Sequence, residues 1–291
     1  MRNVFIEELI QAAQDDPRVV LVVGDLGFSV IEPFVTRFPG RFYNAGVAEQ
    51  NMMGLSAGLA SEGFHVFAYS IANFPTYRCA EQIRNDIAYQ DLPVTVVTVG
   101  GGLSYGNLGY SHHAVQDYGL MRGMPGMLIA APGDPWEVRA CMRYLLAHPQ
   151  PSYLRLGKAG EPAIHTRLPE VAPGRWVPVL AGNSHCVLST GAPLRQAHGW
   201  VTSEGPHAGS TLMSMPLWSM NTKAQQPAQV APWEQLTTVE DHLADCGFGS
   251  WMAESLMGQG SLAARLRVRA LDPRVCGMVG SQAALNAAGG L

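Results

Sequence analysis

Glu49 draws attention by its setting. It follows the run Ala45-Gly46-Val47-Ala48 and opens a stretch of small and apolar residues through Gly54, Ala57 and Gly58. A glycine-containing turn thus delivers an acid to the start of a predicted helix, facing a crevice at strand ends. Taken by itself, such a glutamate is stabilised by the positive end of the helix dipole. The histidines His112 and His113 are adjacent and close a glycine-bearing loop, Gly106-Asn107-Leu108-Gly109-Tyr110-Ser111. A lone histidine is more often structural, but a pair on such a loop suits polar contacts to a substrate. Gly101, Gly102 and Gly106 lack the G-x-G-x-x-G spacing and the following ribose acid, which excludes a dinucleotide loop. The cysteines at 79, 141, 186, 246 and 276 are far apart, form no CxxC and are odd in number, so they read as buried free thiols.

The elements that must position these residues are legible as an alternation. Helical patterns cover 3–14, 49–62, 81–88 and 135–146. Apolar strands cover 19–23, 66–69, 94–99 and 127–131. Uninterrupted apolar strands separated by helices predict a mainly parallel sheet covered on both faces. Residues 157–180 are rich in Pro and Gly without helical period, which predicts a linker. Beyond it, strands at 186–190, 210–215 and 235–240 and helices at 251–256 and 281–289 predict a second α/β domain. The expected organisation is a first domain over 1–157, a linker over 158–179 and a second domain over 180–291.

Composition agrees with a well-buried chain. Of 291 residues, 47% are hydrophobic and 14% charged, which excludes disorder. A net charge of −4 gives no reason to expect nucleic acid or an anionic membrane as a ligand. No apolar run reaches the roughly 18 to 20 residues of a membrane span. The amphipathic start, without the continuous apolar core of a signal peptide, predicts a cytoplasmic protein.

Several segments, in order, resemble the transketolase family. RFYNAGVAEQNMMGLSAGLASEG is similar to the segment carrying that family's catalytic glutamate. SIANFPTYRCAEQIRNDIAY resembles its aromatic segment and the helix after it. GNLGYSHHAVQDYGLMRGMPGMLIAAPGD is similar to its substrate loop, PSYLRLGK to the end of its pyrimidine-binding domain, and TTVEDHLADCGFGSWMAE to its last domain. The resemblance covers nearly the whole chain. It implies two three-layer α/β/α domains, one of the pyrimidine-binding type and one of the transketolase C-terminal type. The implied cofactor is thiamine diphosphate, and the implied activity is transfer of a two-carbon ketol unit from a ketose-like donor to an aldehyde.

The resemblance also implies roles. Glu49 would hydrogen-bond the pyrimidine ring nitrogen and so activate the cofactor's own amino group as a base; burial would favour its protonated form. Phe74 would lie against the pyrimidine face, with Ile71 one helical turn earlier and Tyr77 nearby. That placement runs ungapped from Ser70 to Gln82, and a two-residue slip would substitute Pro75 or Ala72. His112 would contact the donor near its reacting carbon, with His113 beside it. Arg155 would hold a sugar phosphate, since a guanidinium fork suits that task; its alternative is a rim salt bridge. The acid-acid-histidine cluster at 239–242 would be structural, away from the reacting carbon.

The departures are equally specific. Leu108 stands where the family has an aspartate that recognises a donor hydroxyl, and Gly100 where a phosphate-touching histidine often precedes the loop. A donor or acceptor of unusual kind is therefore expected, deoxygenated or unphosphorylated. No GDG motif occurs, so Mg²⁺ and the diphosphate are expected on a separate N-terminal-half subunit, in an α2β2 assembly with small sugar substrates. Two other readings remain: the beta subunit of a 2-oxoacid dehydrogenase or a 1-deoxyxylulose-phosphate-synthase-like enzyme, and a non-catalytic scaffold or regulatory half-subunit.

Overall fold

The computed structural model describes residues 1–158 and 160–291. Its first strands are β1 (Val19–Val23), β2 (Phe42–Asn44), β3 (His65–Ile71), β4 (Val94–Val99), β5 (Leu128–Ala130) and β6 (Ser152–Leu156). Next in the chain are β7 (Val177–Leu180), β8 (Asn183–Ser189), β9 (Ser210–Ser214), β10 (Leu217–Trp218), β11 (Gln235–Leu243) and β12 (Leu266–Leu271). They form a seven-stranded sheet, β2-β1-β3-β4-β6-β5-β10, and a five-stranded sheet, β7-β9-β8-β11-β12. Pairing is parallel except for β10 on β5 and β7 on β9. The mainly parallel two-sheet α/β architecture expected from the sequence is the one that forms.

The strand β1 shows why. All five of its residues are buried. Successive side chains of a strand point to opposite faces, so Val20 and Val22 enter one apolar cluster while Val19, Leu21 and Val23 enter another. The helix Arg2–Asp15 covers the second face with Phe5, Ile6, Leu9 and Ala13. That spacing is an apolar stripe along one side of a helix. The helix Glu49–Ser61 covers the first face with Met52 and Met53. The cysteines are all free, but only Cys79, Cys141 and Cys186 are buried as expected; Cys246 is exposed and Cys276 half-buried.

Two features correct the expected organisation. The linker read over 158–179 ends inside β7, and within it Ile164 and His165 are tied down, donating backbone N–H groups to Asp134 Oδ2, each at 2.8 Å. The strand β10 returns from the second half of the chain to extend the first sheet, so no single cut separates the sheets. One apolar cluster joins them through Tyr118, Trp218, Phe248 and Trp251.

The order β2-β1-β3-β4 places a switch point at β1. The chain moves to one side for β2 and to the other for β3. The carboxyl ends of strands at such a point leave a crevice that binds ligands in doubly wound sheets. The Gly24–Ser29 loop, the Ala45–Ala48 turn, Ile71 and the Gly100–His113 loop surround it.

Candidate active site

Glu49 is the first residue of its helix and only 4% exposed. The turn before it is built by Asn44, whose Oδ1 accepts from the N–H groups of Asp25 (3.0 Å) and Gly46 (2.9 Å). Gly46 has φ of +73°, a conformation that glycine adopts without strain. Glu49 Oε1 accepts from Arg78 Nη1 at 2.8 Å.

Phe74 lies on the short helix Asn73–Tyr77, beyond the end of β3, where Ile71 is half-buried. Its ring carries the Arg78 guanidinium at 4.1 Å over one face, and His112 meets it edge-on at 5.2 Å. Glu49, Phe74, Arg78 and His112 therefore form one constellation. Burial, Arg78 and His113 together lower the basicity of His112, in that order. Tyr77 is half-exposed and lines a shallow cleft of about 290 Å³ with Phe74, Arg78, Tyr110 and Gln116. Burial pushes its phenol up to about 12.

The glycine loop explains one departure from the family pattern. Gly100 has φ of +85°, and any Cβ there would run into the Tyr105 ring. A histidine at this position is sterically excluded by Tyr105. Lys158 places its Nζ 4.6 Å from the same ring. Leu108 stands at the loop tip, 51% exposed. His113 is buried, and neither of its ring nitrogens has a hydrogen-bond partner. Asn73 holds this turn by donating to the carbonyls of Ser111 (3.2 Å) and His113 (2.7 Å).

Arg155 requires a correction. Its Nε donates to Asp117 Oδ2 at 2.7 Å and its Nη1 to Asp241 Oδ1 at 2.5 Å, while its Nη2 reaches the Ala114 carbonyl at 2.7 Å. The side chain is 2% exposed. All its donors face protein, so none is left for a sugar phosphate. Instead it ties β6 to Asp241 of β11, across the two sheets. The acids of the 239–242 run are spent the same way: Glu240 accepts from the N–H groups of Phe248 and Gly249 at the start of the helix Phe248–Ser255. His242 stacks on Tyr118 with ring centres 5.2 Å apart.

Sequence reasoning missed Arg78. The signal was present, because residues four apart on a helix face the same way and Phe74 and Arg78 have that spacing. It also missed the Arg155 partners, which lie 38 and 86 residues away and share no local pattern.

A buried carboxylate beside an aromatic ring fits a flat group that stacks and donates an N–H. In this structure the planar guanidinium of Arg78 makes both contacts. Among the described residues, no cluster of three or more His, Cys, Asp or Glu could hold a metal.

The fold and this seat define a class, and comparison with known proteins names it. Residues 1–160 match the family model described as transketolase, pyrimidine binding domain. The chain therefore belongs to the transketolase family. It is a subunit of the split kind, a thiamine diphosphate-dependent transferase that works with a partner subunit. It is 31% identical over 259 residues to one subunit of the apulose-4-phosphate transketolase of Phocaeicola vulgatus, covering 88% of this chain and 83% of that one. A solved structure of a split-gene transketolase, an inactive beta4 tetramer, superposes with a TM-score of 0.86 at 28% identity, over 100% of this chain and 93% of that one. A 1-deoxy-D-xylulose-5-phosphate synthase of Anaeromyxobacter dehalogenans is 33% identical over 278 residues, 92% of this chain but 43% of that one. No helix among the described residues is long and apolar enough to cross a membrane.

Proposed function

We propose that this chain supplies the pyrimidine seat of a two-carbon ketol transferase, with Glu49 as the activating acid. The observation carrying this reading is a carboxylate only 4% exposed, at a helix start, beside the aromatic ring of Phe74. Thiamine diphosphate held there would supply a carbon nucleophile for the donor carbonyl. Glu49 holds the proton at the pyrimidine ring nitrogen, Phe74 supports the ring face, and Ile71 and Tyr77 border it. His112, on the loop above, orients the donor, and the buried His113 beside it fixes that loop. An N-terminal-half subunit supplies Mg²⁺ and diphosphate contacts, and an α2β2 assembly follows if pyrimidine domains also pair.

The donor reading follows from Leu108 and Gly100. Leucine accepts no hydrogen bond, so the donor hydroxyl read by an aspartate elsewhere in the family goes unread here. The substrates are therefore sugars of unusual kind, deoxygenated or unphosphorylated at the contacted position. The five free cysteines suit a reducing compartment, which supports a cytoplasmic setting.

The test compares wild type with Glu49→Ala in a complex reconstituted with an N-terminal-half subunit. Two-carbon transfer should fall roughly 10²- to 10⁴-fold, the usual worth of a positioned acid–base group. Unchanged turnover would leave the chain a scaffold. The likeness to 1-deoxy-D-xylulose-5-phosphate synthase sustains a second reading, and turnover of pyruvate with release of carbon dioxide would select it.

A further inference from the structure

The guanidinium of Arg78 does two things at once. It lies flat over the Phe74 ring, 4.1 Å from its centre, and it donates to the buried Glu49 carboxylate at 2.8 Å. A planar, N–H-bearing group stacked on an aromatic ring and bonded to a buried acid is also what an aminopyrimidine would be in this seat. The two cannot occupy it together. Arg78 itself is 48% exposed, against 4% for Glu49, so a path into solvent is open to it.

We propose that Arg78 is a built-in occupant of the pyrimidine seat, closing it in the free subunit and swinging out when cofactor enters. This rests on the reading of Glu49 and Phe74 as that seat. The physical advantage lies in the unassembled chain. Without a counter-ion, the carboxylate of Glu49 would stand buried and unpaired, a strongly destabilising arrangement. Arg78 compensates it until the cofactor does. The cost falls on affinity, since a site closed for most of the time binds in proportion to its open fraction.

The experiment is calorimetric titration of thiamine diphosphate with Mg²⁺ into the complex reconstituted with an N-terminal-half subunit, using wild type and Arg78→Met. The variant should bind about tenfold tighter, the gain expected if the occupied seat is open about a tenth of the time. The variant chain alone should melt lower than wild type at neutral pH, and adding Glu49→Gln should restore much of that loss. If Arg78→Met fails to fold, Arg78→Gln keeps a neutral donor for Glu49 without the cation over Phe74, and should also bind tighter. Equal or weaker binding by the folded variants, with wild type binding normally, overturns the occupant. No binding by the wild-type complex overturns the seat, and the occupant with it.

Discussion

Arg155 shows how residue type and residue role separate. Its planar fork suits phosphate, but it equally suits two carboxylates at once, and burial decides between them. With Asp117 on one side, Asp241 on the other and the Tyr118 ring 4.5 Å from its guanidinium carbon, it is a fixed charge in the interior. Burial opposes its charge, yet the two aspartates outweigh that and raise its affinity for its proton well above the ordinary value. Removing one partner from such a group leaves uncompensated charge behind. Arg155→Ala should therefore lower the stability of the isolated chain by roughly 3–5 kcal/mol, and Arg155→Lys should not rescue it fully because a lysine cannot reach both acids with one fork. Chemical denaturation of the chain alone reads this directly. A variant that unfolds at the wild-type midpoint would return Arg155 to the substrate.

At the scale of elements, local pattern decides which parts of the fold are legible. The strand β4 is legible to the residue because Val94–Val99 is an unbroken β-branched run. Glu49 is legible because its turn and helix lie together in sequence. By contrast, β6 is a central strand, yet Ser152 and Arg155 interrupt its apolar run; their hydrogen bonds to Thr95 and Asp117 make burial acceptable. The strand β12 alternates Arg267, Val268 and Arg269 on an exposed sheet edge, where charge protects against misassembly and hides the strand signal. The helix read over 81–88 becomes a π turn from Ile83 to Ala88, a register change that periodicity cannot show. The strand β3 begins with His65, buried, close to Asp16 and Arg18 and packed 4.8 Å from the Phe67 ring, with Nε2 lacking a partner. Burial holds its basicity down to about 4, with Asp16 opposing and Arg18 assisting. The folded value lies below the unfolded one, so the unfolded chain binds more protons between about pH 6.5 and 4. Stability should fall through that window as pH falls, by up to about 1.4 kcal/mol per unit from this group. His65→Phe should flatten that slope, measured by denaturant unfolding at successive pH values. An unaltered slope would mean that His65 is reached by water.

For the molecule as a whole, the two sheets are joined by both packing and charge. They share an apolar cluster centred on Trp218, which meets Tyr118, Phe248 and Trp251 at ring distances of 5.2 to 5.4 Å. Around it are ionic ties, Arg155 to Asp241 inside and Arg122 to Glu254 nearer the surface. Arg122, 10% exposed, donates to both Glu254 oxygens at 2.7 and 3.0 Å and to the Cys246 carbonyl at 2.6 Å, while Lys223 also reaches Glu254. The consequence for the site is direct, because Arg155 also holds the Ala114 carbonyl at the end of the loop that carries His112 and His113. The second sheet thus braces the His112–His113 loop from behind, through Asp241 and Arg155, contacts that no local sequence pattern would supply. Chiefly through the Arg122 hydrogen bonds, the Glu254 carboxyl is held down to about 2. Its folded value lies below the unfolded one, so its stabilisation is complete above about pH 4.5 and fades as pH falls toward 2. With more than a third of Glu254 in water, screening keeps this to about 1 kcal/mol. Glu254→Gln should therefore lower the melting midpoint at pH 7, and the gap from wild type should close as pH approaches 2. Melting that stays a single transition in the variant would mean that the apolar cluster suffices to join the sheets. A split into two transitions would assign the joining to the ionic clasp.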